Sequence, residues 1–235
     1  MAVGGLVLAF GYTVMLFQPV PAWVPFPRAL GIASGVVMLA TGAGLLFQRS
    51  ARPSISVLLP FLLLWTLTRV PAPVADPLTE ISWFAIGEVA VLAAAALVLF
   101  ARHAGLAFGS KLRTVTDRHA LLVARLLFGY SVVTYGLSHF FQFRMRTISL
   151  VPAWLPFRPE WAYLTGAAQV ACGLGALFGV YPRLAATGEA AMLSLFTVLV
   201  WVPAVVAKPA VQSNWVEFLF TAALAGAAWV VADGL

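Results

Sequence analysis

The sequence is poor in charged residues, and this absence defines the class of protein. Only 9% of its 235 residues are Asp, Glu, Lys or Arg, while 62% are hydrophobic; soluble globular proteins carry about 25% charged residues. The mean hydropathy is +0.97. Too few polar side chains are available to cover a core of this size against water, so we expect the outer surface to face lipid. This composition excludes a soluble protein.

Cysteine is nearly absent. Cys172 is the single cysteine, so the chain can form no intramolecular disulfide, and neither a CxxC redox pair nor a Cys/His zinc site can be drawn. Its position within an apolar segment indicates a packing role. We therefore expect neither a self-sufficient thiol oxidoreductase nor a metal site.

Long apolar runs predict eight membrane-spanning helices. The runs, broken by proline, arginine or polar clusters, cover residues 2–18, 30–48, 53–71, 82–101, 119–141, 161–180, 184–206 and 214–232. Each is close to the roughly 20 residues that cross a bilayer as a helix. The first run has no basic segment before it and no small-residue cleavage site after it, so we interpret it as a retained helix.

The distribution of basic residues predicts the orientation in the membrane. Lys and Arg outnumber Asp and Glu by 14 to 8, and in a membrane protein we assign this excess to orientation, with no role in nucleic-acid binding. The loop region from Arg102 to Arg118 concentrates basic residues on the side that holds both termini, which predicts cytoplasmic termini. Twelve of the 14 basic residues are arginine, a bias that suggests a GC-rich bacterial genome and hence a bacterial cytoplasmic membrane.

The chain contains an internal duplication. VPAWVPF at residues 20–26 recurs as VPAWLPF at residues 151–157, a shift of 131, and at a shift of 132 Trp83 matches Trp215. Trp, Pro and Gly in register rarely coincide by chance. We therefore predict three parts, which are a first four-helix repeat at 1–105, a basic cytoplasmic linker at 106–118 and a second four-helix repeat at 119–235.

The repeats predict an arrangement of two parallel four-helix bundles. Because each repeat has an even number of helices, both enter the membrane with the same polarity, and their pseudo-twofold axis runs along the membrane normal. The second helix of each repeat carries a stripe of small residues, namely Gly31, Gly35 and Gly42 in the first and Ala162, Gly166 and Gly173 in the second. Such a stripe is typical of a face on which helix backbones approach closely.

The second repeat carries a family-like pattern. Gly-x-x-His-Phe at residues 136–140 ends one predicted helix, the VPAWLPF loop follows, and the next helix opens with Tyr-x-Thr-Gly and closes with LGALF before an arginine. This pattern resembles the DoxX-like membrane protein family over residues 119–235, with a fainter similarity over 1–101. The resemblance implies a four-helix bundle as the structural unit.

The functions that this resemblance implies are mixed. Some DoxX-like proteins are membrane subunits linked to quinone-dependent sulfur oxidation or to redox-stress complexes. Relatives bind sterols or other lipids, or assist the folding of membrane proteins. The resemblance implies no catalytic residues here. In the first repeat, Leu8 and Ala9 occupy the positions that match His139 and Phe140, so a site built on that histidine would exist once.

Three ionisable side chains fall well inside predicted spans, where each is costly and usually faces the bundle interior. Arg125 and Glu189 lie at matching depths from the cytoplasmic side; they could form an interhelical ion pair or one side of a ligand or proton site. Glu88 either is a buried neutral carboxyl group or handles protons. Arg69 could reach Glu88 or Glu80.

Polar and aromatic residues also gather near the outer end of the fifth predicted span. His139 lies close in sequence to Tyr135 and Gln142, and we add Tyr163 and Trp154 of the second repeat to this candidate site. An imidazole in this position could hydrogen-bond a quinone or another polar head group. Alternatively, His139 has a structural hydrogen-bonding role and Trp154 is an interfacial anchor.

Our leading hypothesis is an accessory or redox-associated membrane subunit that binds a quinone or a lipid in an intramembrane pocket. No complete active site is visible, so the chain is at most a subunit of a quinone-linked oxidoreductase. The alternatives are a transporter or flippase with its path between the repeats, and a scaffold or chaperone without a ligand. Expected partners are the bilayer and a membrane or redox protein; whether the chain forms an oligomer stays open.

Overall fold

The structure is a computed structural model that describes residues 1–10, 26–104 and 110–235, and the described residues form helices and no strands. The helices are α1 (Ala2–Phe10), α2 (Pro27–Gly44), α3 (Gln48–Arg69), α4 (Pro71–Ala75), α5 (Glu80–Ala104), α6 (Ser110–Ser138), α7 (Arg144–Leu150), α8 (Arg158–Phe178), α9 (Pro182–Phe196), α10 (Val202–Ala207) and α11 (Gln212–Gly234). A π-helical segment, Thr197–Trp201, joins α9 to α10. The predicted all-α class is confirmed for this part of the chain.

Six helical stretches are long and apolar enough to cross a membrane, which supports a membrane protein. They cover Gln48–Ala75, Glu80–His103, Asp117–Ser138, Arg158–Phe178, Pro182–Ala207 and Gln212–Gly234. Each matches one predicted span. The predicted span 2–18 begins as α1, but residues 11–25, with Trp23 of the first VPAW motif, lie outside the described residues. The span 30–48 corresponds to α2, which is not among the six, so the count of eight stays a prediction.

The predicted linker is largely helical where the structure describes it. Helix α6 begins at Ser110, inside the range 106–118, and continues without a break into the membrane-spanning stretch. Residues 110–118 contain neither proline nor glycine, so nothing in their sequence interrupts a helix. The basic segment therefore extends α6 by about two turns.

Equivalent positions of the two halves share unusual local structure. Phe26 and Phe157, which are 131 residues apart, are the N-caps of α2 and α8, and both have left-handed backbone angles, with φ of 58° and 56°. The indole N–H of Trp83 donates to the carbonyl of Pro77 at 2.9 Å, and that of Trp215 donates to the carbonyl of Pro209 at 3.0 Å. Trp83 and Trp215 are 132 residues apart, and so are Pro77 and Pro209.

Helix α5 lies at the centre of the packing. It contacts α3, α6 and α11, and its apolar stretch is the most deeply buried of the six. Small residues make this possible, because Ala90, Ala93 and Ala94 have no exposed surface and let three neighbours approach one helix. Around α5, contacts run from α6 to α8, from α8 to α9, from α9 to α11, and from α11 back to α5.

Helices α6 and α8 meet along a line of glycines. A methyl group at Gly129 would lie 2.8 Å from the carbonyl oxygen of Gly173, and one at Gly136 would lie 2.6 Å from that of Gly166. The reverse contacts, from Gly166 and Gly173 toward α6, are equally close. The predicted packing role of the small-residue stripe on α8 is confirmed. In α2, Gly35 and Gly42 likewise face α1.

We expect Gly136→Ala to destabilise the protein by about 1–3 kcal/mol, because the new methyl group would meet backbone atoms, and these cannot move unless the helices separate. Gly226 is the matched control, since a methyl group there has no neighbour within 4 Å and gains helix propensity. Thermal unfolding of the purified protein in detergent measures both variants. Equal unfolding midpoints for Gly136→Ala and Gly226→Ala would contradict the close contact.

Candidate ligand-binding cavity

A cavity of about 520 Å³ lies between α5, α6, α7, α8, α9 and α11. It occupies the end of the bundle where α6 ends and α8 begins, and its lining runs from Trp161 to Gln169 along α8, which is about 12 Å at 1.5 Å per residue. Most of the lining is apolar, with Phe84, Phe196 and Trp201 among its rings. The volume falls within the roughly 300–1,000 Å³ of small-molecule sites.

The cavity brings together three of the five predicted ligand-binding residues. His139, Tyr135 and Trp154 line it. Gln142 does not line the cavity. Its side-chain oxygen accepts a hydrogen bond from the backbone N–H of Glu80, and its backbone N–H donates one to the Glu80 carboxylate. Tyr163 also lies outside the lining and stacks on Phe140 with ring centroids 5.6 Å apart. These two side chains therefore support the helix ends around the cavity.

His139 is held in place by the close approach of α6 and α8. Its Nδ1 lies 2.7 Å from the carbonyl oxygen of Ala162, which can only accept a hydrogen bond, so Nδ1 carries the proton. The ring sits against Gly166, where a side chain of any size would collide with it. The remaining nitrogen, Nε2, has no hydrogen-bond partner among the described residues and can accept a hydrogen bond from a molecule in the cavity.

The inner end of the cavity is polar and incompletely hydrogen-bonded. Glu88, Tyr135 and Gln169 line it and are each less than 7% exposed. The Glu88 Oε2, the Tyr135 hydroxyl and the Gln169 Oε1 have no hydrogen-bond partner in the described residues. Buried polar groups are normally paired, and an unpaired one costs about 1–3 kcal/mol. Three such atoms in one place indicate that a ligand or water completes this site.

Glu189 lies behind this inner end and is fully buried on α9. Its Oε1 accepts a hydrogen bond of 3.0 Å from the side-chain amide nitrogen of Gln169, while its Oε2 has no hydrogen-bond partner among the described residues. This hydrogen bond orients the Gln169 amide group so that its oxygen remains available as an acceptor. Gln169 thus connects Glu189 to the cavity wall.

The ion pair suggested for Arg125 and Glu189 does not form in the structure. A methyl group at Gly179, just past the end of α8, would lie 2.8 Å from Arg125, whereas Glu189 lies opposite Gln169. Gly179, which Arg125 approaches, is ten residues from Gln169, which Glu189 contacts, and this corresponds to about 15 Å along the helix. Counting residues from the predicted helix ends did not reveal this offset, because α6 begins at Ser110, nine residues before the predicted start of that span at residue 119.

Arg69 does not form the predicted contacts with Glu88 or Glu80. Arg69 is buried, and its Nε and one terminal nitrogen have no hydrogen-bond partner in the part of the chain that the structure describes. Among the described residues it forms no ion pair with Glu88 or Glu80. Glu80 accepts backbone N–H groups of Gln142 and Phe143 instead. At the outer rim of the cavity Arg146 forms an ion pair with Glu217.

Gln169 and Trp201 are among the lining residues that the sequence analysis did not single out. Gln169 is the only amide side chain in its apolar span, and a polar group there is costly enough in lipid to be a signal. Trp201 gave no such signal. It reaches the cavity because the π-helical segment shifts the face of the helix at that point, and the Val202 N–H donates to the Thr197 carbonyl in the π pattern. Among the described residues no group of three His, Cys, Asp or Glu side chains could hold a metal ion.

Residues 128–232 match a protein family described as a domain of unknown function (DUF8561). The match covers less than half of the chain and begins within α6, so it includes the cavity-lining residues of α7, α8, α9 and α11 but not those of α5. No curated protein and no solved structure matches the chain.

We expect Gln169→Leu to destabilise the protein more than the double change Gln169→Leu with Glu189→Leu. The single change leaves the Glu189 carboxyl group buried without its partner, whereas the double change removes both polar groups. Thermal unfolding in detergent tests this, with Gln48→Leu at the exposed start of α3 as a control for the loss of an amide. A double variant that is less stable than the single one would refute the pairing.

Proposed function

We propose that this protein binds a hydrophobic small molecule with a polar head, a quinone or a lipid, inside the cavity. The supporting observation is an apolar cavity whose inner end presents unpaired polar atoms from Glu88, Tyr135 and Gln169. An apolar wall suits a hydrocarbon chain or ring, and a few placed polar groups orient a head group. In this proposal the chain is an accessory or redox-associated subunit.

We further propose that the chain consists of two parallel four-helix units and is DoxX-like. The matching left-handed residues Phe26 and Phe157 and the matching hydrogen bonds of Trp83 and Trp215 support a duplicated structural unit. The contacts support it too. Helix α5 packs on α6, and α11 packs on α1, as a pseudo-twofold arrangement requires. In this proposal the protein lies in a bacterial cytoplasmic membrane with both termini in the cytoplasm, and the cavity opens toward the outer side.

Extraction in a mild detergent followed by mass spectrometry tests the proposed ligand. We expect a stoichiometric quinone or lipid with the wild-type protein and at least about tenfold less with His139→Ala or Tyr135→Phe, because a lost hydrogen bond to a buried ligand costs about 1–3 kcal/mol. Tyr163→Phe is the matched control, since Tyr163 lies outside the cavity. Wild-type protein free of any such molecule, with variants that behave identically, would refute the proposal.

Transport is a second candidate because the cavity is not enclosed by the second repeat alone. Glu88, on α5 of the first half, lines it together with residues of α6 and α11, so a buried carboxyl group lies where the halves meet. Transport predicts proton-gradient-dependent flux in proteoliposomes, followed with an internal pH-sensitive dye, that Glu88→Gln abolishes. Glu160→Gln, an exposed change at the start of α8, should leave it intact. Absence of flux in the wild-type protein would exclude this candidate.

A further inference from the structure

The cavity reaches the outer surface of the bundle on one side. Leu195 and Leu199 line the cavity, yet they are 55% and 41% exposed. Across from them, Trp161 and Thr165 of α8 also line it. The wall between α8 and α9 is therefore incomplete at this level, and the gap faces the side that lipid would occupy.

The gap follows from how α8 and α9 are held. On the side of the gap toward the turn that joins them, the Gln169–Glu189 hydrogen bond and the contact of Gly188 with Cys172 keep the two helices together. Further along, α9 passes into the π-helical segment. Pro203 follows and has no N–H to donate to the Leu199 carbonyl. At this level Leu195 and Leu199 remain exposed on the surface of the helix.

The polar groups at the inner end favour one kind of head group. The unpaired atoms there are mainly acceptors, namely a carboxyl oxygen of Glu88 and the amide oxygen of Gln169, with the Tyr135 hydroxyl beside them. His139 adds a further acceptor, its Nε2. Among the described residues, Arg146 is the one Lys or Arg that lines the cavity, and it is already paired with Glu217. An anionic head would therefore meet carboxyl groups without a free cation, whereas an uncharged head with hydroxyl or N–H groups would satisfy the acceptors.

We propose that the ligand is an uncharged single-chain amphiphile whose hydrogen-bond-donating head lies between Glu88, Tyr135 and Gln169 and whose hydrocarbon chain passes to the lipid between α8 and α9, past Leu195 and Leu199. This rests on the proposed function and specifies it. The ligand enters sideways from the bilayer, and the size of the gap, not that of the cavity mouth, limits its access.

Binding of two defined probes to the full-length protein in detergent, measured by native mass spectrometry, tests the inference. 1-Oleoylglycerol has an uncharged head with two hydroxyl groups, and oleate has the same chain with an anionic head. We expect the first to bind and the second to bind at least about tenfold more weakly. Leu199→Trp, which fills the gap, should weaken 1-oleoylglycerol binding by a similar factor. Leu164→Trp is the matched control, because Leu164 is 59% exposed on α8 and does not line the cavity.

The outcomes separate this inference from the proposed function. Equal binding of 1-oleoylglycerol to the wild type and to Leu199→Trp would overturn the side opening, and equal binding of oleate would overturn the uncharged head. If 1-oleoylglycerol fails to bind while a quinone or lipid co-purifies with the protein, only the inference fails. If nothing binds and nothing co-purifies, both fail. Loss of binding in Leu199→Trp alone, with Leu164→Trp unchanged, supports it.

Discussion

The close backbone contact between α6 and α8 is the constraint on which the site depends. Four glycines allow the two helices to meet without side chains between them, and in an apolar medium such packing is a main source of helix association. The contact brings the end of α6 against the start of α8, so that the His139 ring can bond the Ala162 carbonyl. It also fixes the cavity on the side of α8 that faces α9 and α11.

The polar groups of the cavity make sense only in relation to this packing. Gln169 donates one hydrogen bond to Glu189 within the bundle, and Glu88 reaches the cavity from the central helix α5. None of the three could face lipid without a large cost, so their positions are determined by where the bundle has an interior. That interior is also where unpaired atoms remain. A protein that needed only stability would gain from apolar residues at these positions, which is why we connect them with binding.

The sequence was sufficient for much of the fold, because lipid exposure leaves a strong compositional trace. Six apolar runs became helices close to their predicted bounds, and the glycine stripe of α8 became a packing face. The short helix α7 left no such trace. Helices α4 and α10 instead belong to the membrane-spanning stretches Gln48–Ala75 and Pro182–Ala207, which continue past Pro71 and Pro203.

The candidate site was harder to predict, because it depends on registry between helices. His139, Tyr135 and Glu88 stood out by residue type, and all three line the cavity. Whether two of them face each other depends on helix extension and crossing, which composition does not reveal. The Arg125–Glu189 pair failed for this reason, and Gln142 and Tyr163, although near His139 in sequence or across the loop, point to other partners.

The differences between the two halves explain why the described cavity is associated mainly with the second. At equivalent positions the second half has His139, Gln169 and Trp201 where the first has Leu8, Met38 and Arg69. Each of these second-half residues lines the cavity. The exception is Glu88, which the first half supplies to the same cavity from α5, whereas its counterpart Phe220 contributes an apolar wall. The central helix α5 thus places one carboxyl group of the first half in a cavity whose other polar lining comes from the second half.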